Sequence, residues 1–182
     1  MDSVHDFDEP PTLGAFVPLP DDDVDADFLQ SIFAAARRWE DLSGRRTPGK
    51  VLRESLWFVW QAPRLQRPLV RSKYPRNAPW TALARASYAD NPGGSGDLVM
   101  EHVEPISLLI RSLLEAPQEG RGFIETLNHA LRFCVVTTAE DKLLSAAKVG
   151  ASTPESDDPW IRYRLAGIDI DGIGPLEAGQ PK

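Results

Sequence analysis

The sequence predicts a mostly helical α+β domain with one small strand pair, preceded by an extended acidic N-terminal arm. Apolar residues recur at helical spacing in several windows that proline or glycine separates. Two short windows, 98–103 and 133–136, are β-branched or apolar without that rhythm and suit strands. The first 27 residues carry Asp2, Asp6, Asp8, Glu9, Asp21, Asp22, Asp23, Asp25 and Asp27 around the Pro10-Pro11 pair, with few side chains able to anchor a core.

In chain order, 1–27 reads as a flexible acidic arm. Asp25 or Asp27 then caps a helix over 28–42, with Phe28, Leu29, Ile32, Phe33, Ala36 and Trp39 at helical spacing and Gly44 as its stop. Thr47-Pro48 is a helix start, and Val51, Leu52, Leu56, Val59 and Trp60 continue the pattern until Pro63. Four prolines between 63 and 79 disfavour a long helix and leave an extended segment. A short helix over 80–88 leads to the turn cluster 90–96. The strand 98–103 closes at Pro105, helices follow over 106–114 and 124–131, and the second strand covers 133–136. Thr137-Thr138 with Glu140-Asp141 is a capping signature for a helix over 139–149. The window 160–170 is a last ordered piece, and 172–182 reads as a loose tail. The division is therefore an arm (1–27), one α+β domain (28–171) and a tail.

At 182 residues, 42% hydrophobic and 26% charged, the chain can bury a single core. Its apolar runs fall short of the roughly 18 residues that a membrane span requires, and the acidic N-terminus is unlike a secretory signal. A cytoplasmic protein without membrane contact is expected. The single cysteine, Cys134, excludes an internal disulfide and a cysteine-cluster zinc site; between Phe133 and Val135 it reads as a buried, inert thiol.

Net charge is −7, yet 45–85 holds ten basic residues against the single acid Glu54. Arg64, Arg67, Arg71, Lys73 and Arg76 form the centre of this stretch, and Trp57, Trp60, Tyr74 and Trp80 are interleaved with it. Arginine forks suit phosphate oxygens and aromatic rings suit base stacking, so the stretch is expected to contact nucleic acid, with DNA the expected form on the resemblance given below. The acidic arm could compete for the same surface.

Two further patterns bear on chemistry: Glu101-His102-Val103-Glu104-Pro105 at the end of a strand, and Val135 to Asp141 at a strand-to-helix junction. Together they resemble the HNH, or ββα-metal, nuclease superfamily, in which an acidic residue, His, a hydrophobic residue, any residue and Pro mark the first strand. The likeness spans 98–144. It implies a ββα-metal-like core within 97–149, His102 as the general base, Glu101 as a metal ligand, and Asp141 or Glu140 where the helix ligand stands. Mg²⁺ or Mn²⁺ would be the cofactor, and the activity would be hydrolysis of DNA phosphodiesters, or DNA binding by a nuclease-derived protein. The chemistry is reasonable, because imidazole titrates near neutral pH and a hard cation on carboxylates stabilises phosphate charge. A regular strand would turn Glu101 and His102 to opposite faces, so the site needs a bulge or the strand end to bring them together. The alternative is a non-enzymatic interaction protein whose basic segment docks an acidic protein partner.

Overall fold

The computed structural model describes residues 19–65, 74–75, 78–91, 96–149 and 158–176. Along the chain these form α1 (Asp22–Ser43), α2 (Gly49–Ser55), a π-helical segment (Leu56–Gln61), α3 (Ala62–Arg64), α4 (Ala82–Asp90), β1 (Leu98–His102), α5 (Ile106–Glu115), α6 (Gly120–Ala130), β2 (Phe133–Thr137), α7 (Thr138–Ala146) and α8 (Ile161–Leu165). The mostly helical α+β class is as the sequence predicts. Among the described residues no helix is long and apolar enough to cross a membrane.

One layer is helical. Leu29, Phe33 and Ala36 of α1 pack with Leu52, Leu56 and Trp60 of the next helical stretch, and with Leu109 and Leu113 of α5 and Phe123 and Leu127 of α6. The first helix starts six residues before the predicted Phe28, so the last six residues assigned to the arm are helical and Ala26 is in the core. The cause is Arg64, buried and ion-paired with both Asp22 and Asp25, the latter at 3.1 Å.

Arg64 also explains how the second helical stretch passes Pro63. Proline cannot donate to the carbonyl four residues back, here that of Val59. Within the π-helical turn the Ala62 N–H reaches the Trp57 carbonyl, and the Arg64 guanidinium donates to the carbonyls of Val59 (3.2 Å) and Trp60 (2.8 Å). Its Cζ lies 3.7 Å from the Trp60 ring centroid.

The other layer is the strand pair. β1 and β2 run antiparallel in the register Leu98↔Thr137 to His102↔Phe133, and α7 packs on both. One sheet face, with Leu98, Phe133 and Val135, packs on Tyr74, Trp80 and Tyr88; the other, with Val103, Cys134 and Val136, packs on Leu144, Trp160 and Tyr163. Trp80 extends β2 on its free edge: the Thr81 N–H donates to the Val135 carbonyl and the Val135 N–H to that of Pro79. Trp80 also exchanges two backbone bonds with Gly174, and Ile173 is buried. The beginning of the predicted loose tail, through Leu176, is thus tied to the domain. Cys134 is buried, and burial pushes its thiol pKa up.

The capping signature before α7 is present in full. Thr137 Oγ1 accepts from the Glu140 N–H, and the Glu140 carboxylate accepts from the Thr137 N–H at 2.8 Å. The same carboxylate takes the Thr81 hydroxyl at 2.8 Å, joining α7 to the start of α4. Thr137→Ala should therefore cost at least about 1 kcal/mol. Urea unfolding checks this; an unchanged midpoint would contradict it.

Candidate functional site

β1 ends at His102 with its ladder to Phe133 intact, so the strand carries no bulge that would bring its last two side chains together. Glu101 turns towards α8, where its carboxylate meets the buried Arg162 guanidinium at 3.0 Å. His102 turns to the opposite face and meets Gln61 of the π-helical segment. The Gln61 amide nitrogen is 2.9 Å from His102 Nε2 and its oxygen is 3.3 Å away. The same amide nitrogen donates to the Leu131 carbonyl at 2.9 Å, which fixes which end of the amide points inward. The shorter contact then makes Nε2 the acceptor and puts the proton of neutral His102 on Nδ1.

Arg162 organises this end of the sheet. Its guanidinium donates to the carbonyls of His102 and Val103, both at 2.8 Å, and to that of Val149, besides pairing with Glu101. Burial lowers the pKa of His102 to about 4, helped by the positive charges of Arg162 and Arg53. Burial raises the carboxyl pKa of Glu101; Arg162 opposes the rise and the negative charge of Asp141 adds to it. At neutral pH His102 is an uncharged imidazole, and a weaker base than a free one.

Beside His102 a cleft of about 590 Å³ opens between the α1–α2 turn and α5. Its cations are Arg46, Arg53 and Arg111, all exposed, and Glu40, Glu101 and Glu115 also reach its wall. Sequence patterns do not single out these three arginines as a group. Arg46 and Arg53 are two of ten basic residues in one stretch, and Arg111 is only a break in an apolar helix.

The remaining expected residues fall elsewhere. Arg64, expected on nucleic acid, is buried and committed to Asp22 and Asp25, so it cannot contact a ligand from solution. Arg67, Arg71, Lys73 and Arg76 lie outside the described residues. Tyr74 and Trp80 are core residues rather than stacking platforms, and Trp60 is buried as its place in the helical apolar pattern implies. Glu140 is buried in the capping box and Asp141 is partly exposed on the first turn of α7.

This donor set does not fit a divalent cation. Glu101 is neutralised by Arg162, and the Glu140 carboxylate accepts from Thr81 and Thr137. Among the described residues no three His, Cys, Asp or Glu side chains form a group that could hold a metal ion. Comparison with protein-family models, with curated proteins and with solved structures gives no match.

Two outcomes follow. Arg162→Met leaves Glu101 without its cation and three carbonyls without their donor; a loss of about 3–5 kcal/mol in urea unfolding is expected, and a loss below about 1 kcal/mol would contradict the role given to Arg162. For His102, the folded pKa of about 4 lies below the ordinary 6.5. Its contribution to stability is complete above pH 6.5 and is lost as pH falls through about 4. The slope within that window is at most about 1.4 kcal/mol per pH unit. Glu101, with its pKa raised, acts in the opposite sense, so the clean quantity is the stability of the wild type minus that of His102→Gln. That difference should shrink between pH 7 and pH 4.5; a difference independent of pH would contradict the assignment.

Proposed function

We propose that this chain is a nuclease-derived DNA-binding protein of the HNH type, whose cleft at the end of β1 receives the phosphodiester backbone. The observation that carries the reading is the grouping of Arg46, Arg53 and Arg111 around a neutral His102 in one open cleft. Guanidinium groups bind phosphate oxygens in forked pairs, and an uncharged imidazole adds a hydrogen bond without a further charge. The antiparallel order of β1 and β2 with α7 across them is the arrangement that the resemblance implies, with α5 and α6 inserted between the strands.

Binding is favoured over hydrolysis because the residues that would hold Mg²⁺ or Mn²⁺ are engaged by Arg162 and by the α7 cap. His102 Nε2 is likewise engaged by Gln61, and its pKa of about 4 leaves a weak base where a hydrolase needs one that titrates near neutral pH.

The test is fluorescence anisotropy of a short labelled duplex across a salt series, with and without EDTA. Binding should survive EDTA and weaken steeply with salt. The triple variant Arg46→Ala, Arg53→Ala, Arg111→Ala should flatten the slope of log K against log salt by about 0.9 for each phosphate that is no longer neutralised. An unchanged slope would contradict the cleft as the DNA site. Plasmid nicking that requires Mn²⁺ or Mg²⁺ and disappears in His102→Ala would overturn the preference for binding in favour of the hydrolytic form. Tight binding of an acidic polypeptide with no affinity for DNA would leave the protein-docking alternative.

A further inference from the structure

α1 is apolar on two opposite faces, and the core uses only one of them. Ala26, Leu29, Phe33 and Ala36 point inward. On the far side Val24, Phe28, Trp39 and Leu42 are 66%, 56%, 41% and 78% exposed, and Ser31 and Ala35 are exposed between them. At about 100° per residue these six positions fall on a single stripe running the length of the helix. A stripe of this kind on a soluble surface is a site of association.

The order of residues along the stripe says what covers it. Large apolar side chains stand at both ends and small ones, Ser31 and Ala35, in the middle, where a crossing helix comes closest. One flank of the stripe carries complementary charge as well: Asp27 towards the N-terminal end and Arg38 towards the C-terminal end are both exposed. An apolar palindrome flanked by Asp27 towards one end and Arg38 towards the other is complementary to itself when turned end for end.

We propose that the outer face of α1 is a dimer interface, on which α1 of a second copy of this chain lies antiparallel. A two-fold axis level with Phe33, the middle of the helix, sets Val24 beside Leu42 of the second copy and Phe28 beside Trp39 of the second copy. Ser31 and Ala35 meet at the crossing. Asp27 and Arg38 share one flank of the stripe, so the same axis sets Asp27 of each copy beside Arg38 of the other, giving two ion pairs by symmetry. Parallel pairing in register would instead put this flank of one copy and the same flank of the other on opposite sides of the seam, where no Asp27–Arg38 pair can form, which selects the antiparallel arrangement. Phe28, Asp27, Arg38 and Leu42 take no part in the cleft beside His102, so the inference stands apart from the DNA-binding reading.

Sedimentation velocity of the full chain over a range of concentrations tests it. The wild type should show a monomer–dimer equilibrium, and Leu42→Glu should be monomeric with an unchanged circular dichroism spectrum. Asp27→Arg should weaken the dimer by about tenfold, because two attractive pairs become repulsive, and the double variant Asp27→Arg, Arg38→Asp should recover it. A wild type that is monomeric throughout would overturn the proposal, as would a dimer indifferent to Leu42→Glu. A double variant as weak as Asp27→Arg alone would overturn the antiparallel register.

Discussion

Arg162 is a fully buried cation on a five-residue helix, and the atoms that it reaches come from separate stretches of chain. Two are the carbonyls of His102 and Val103 at the end of β1, one is the Val149 carbonyl beyond α7, and the fourth is the Glu101 carboxylate. A guanidinium removed from water must find an anion and acceptors for its donors, and its removal would strand each of them. The conformation of the β1 end follows. With Glu101 held on the α8 side and the strand regular, His102 has to face Gln61, where burial lowers its pKa and the charge that holds Glu101 lowers it further. The chemistry available beside the cleft thus follows from the burial of His102 and from how one buried charge is satisfied.

Arg64 repeats the device in the helical layer. It joins the acidic first turn of α1 to the carbonyl of Val59, which Pro63 leaves without its usual donor, and to that of Trp60. Both arginines act as hydrogen-bond hubs for backbone that regular structure does not satisfy. Basic residues able to meet a ligand are therefore fewer than composition suggests, and those described beside His102 are Arg46, Arg53 and Arg111.

What was legible in the sequence was local. The two strands, the capping box at Thr137 and Glu140, the buried Cys134 and the place of Trp60 in a helical apolar pattern all follow from residues close in the chain. What was not legible depends on distant partners. Asp22 and Asp25 have the composition of an arm and become helical through Arg64, some forty positions away. Gly174 looks like tail until it pairs with Trp80. At the site, Glu101 and His102 stood out by type, and their expected divergence across the strand is what the fold contains. Gln61 gave no signal, because an amide inside an apolar helix pattern looks like any surface residue. Arg111 was hidden in the same way, since its role depends on α5 lying opposite the α1–α2 turn.

Phosphate binding in the cleft between that turn and α5, beside His102, is the centre of the functional reading. The most direct measurement is a backbone NMR titration of the ¹⁵N-labelled chain with a short DNA duplex at low salt. The amides of Thr47, Arg53, His102, Ser107 and Arg111 should shift together, with one saturation curve, while the outer face of α1 stays still. Shifts confined to other surfaces, with these five amides unmoved at saturation, would contradict it.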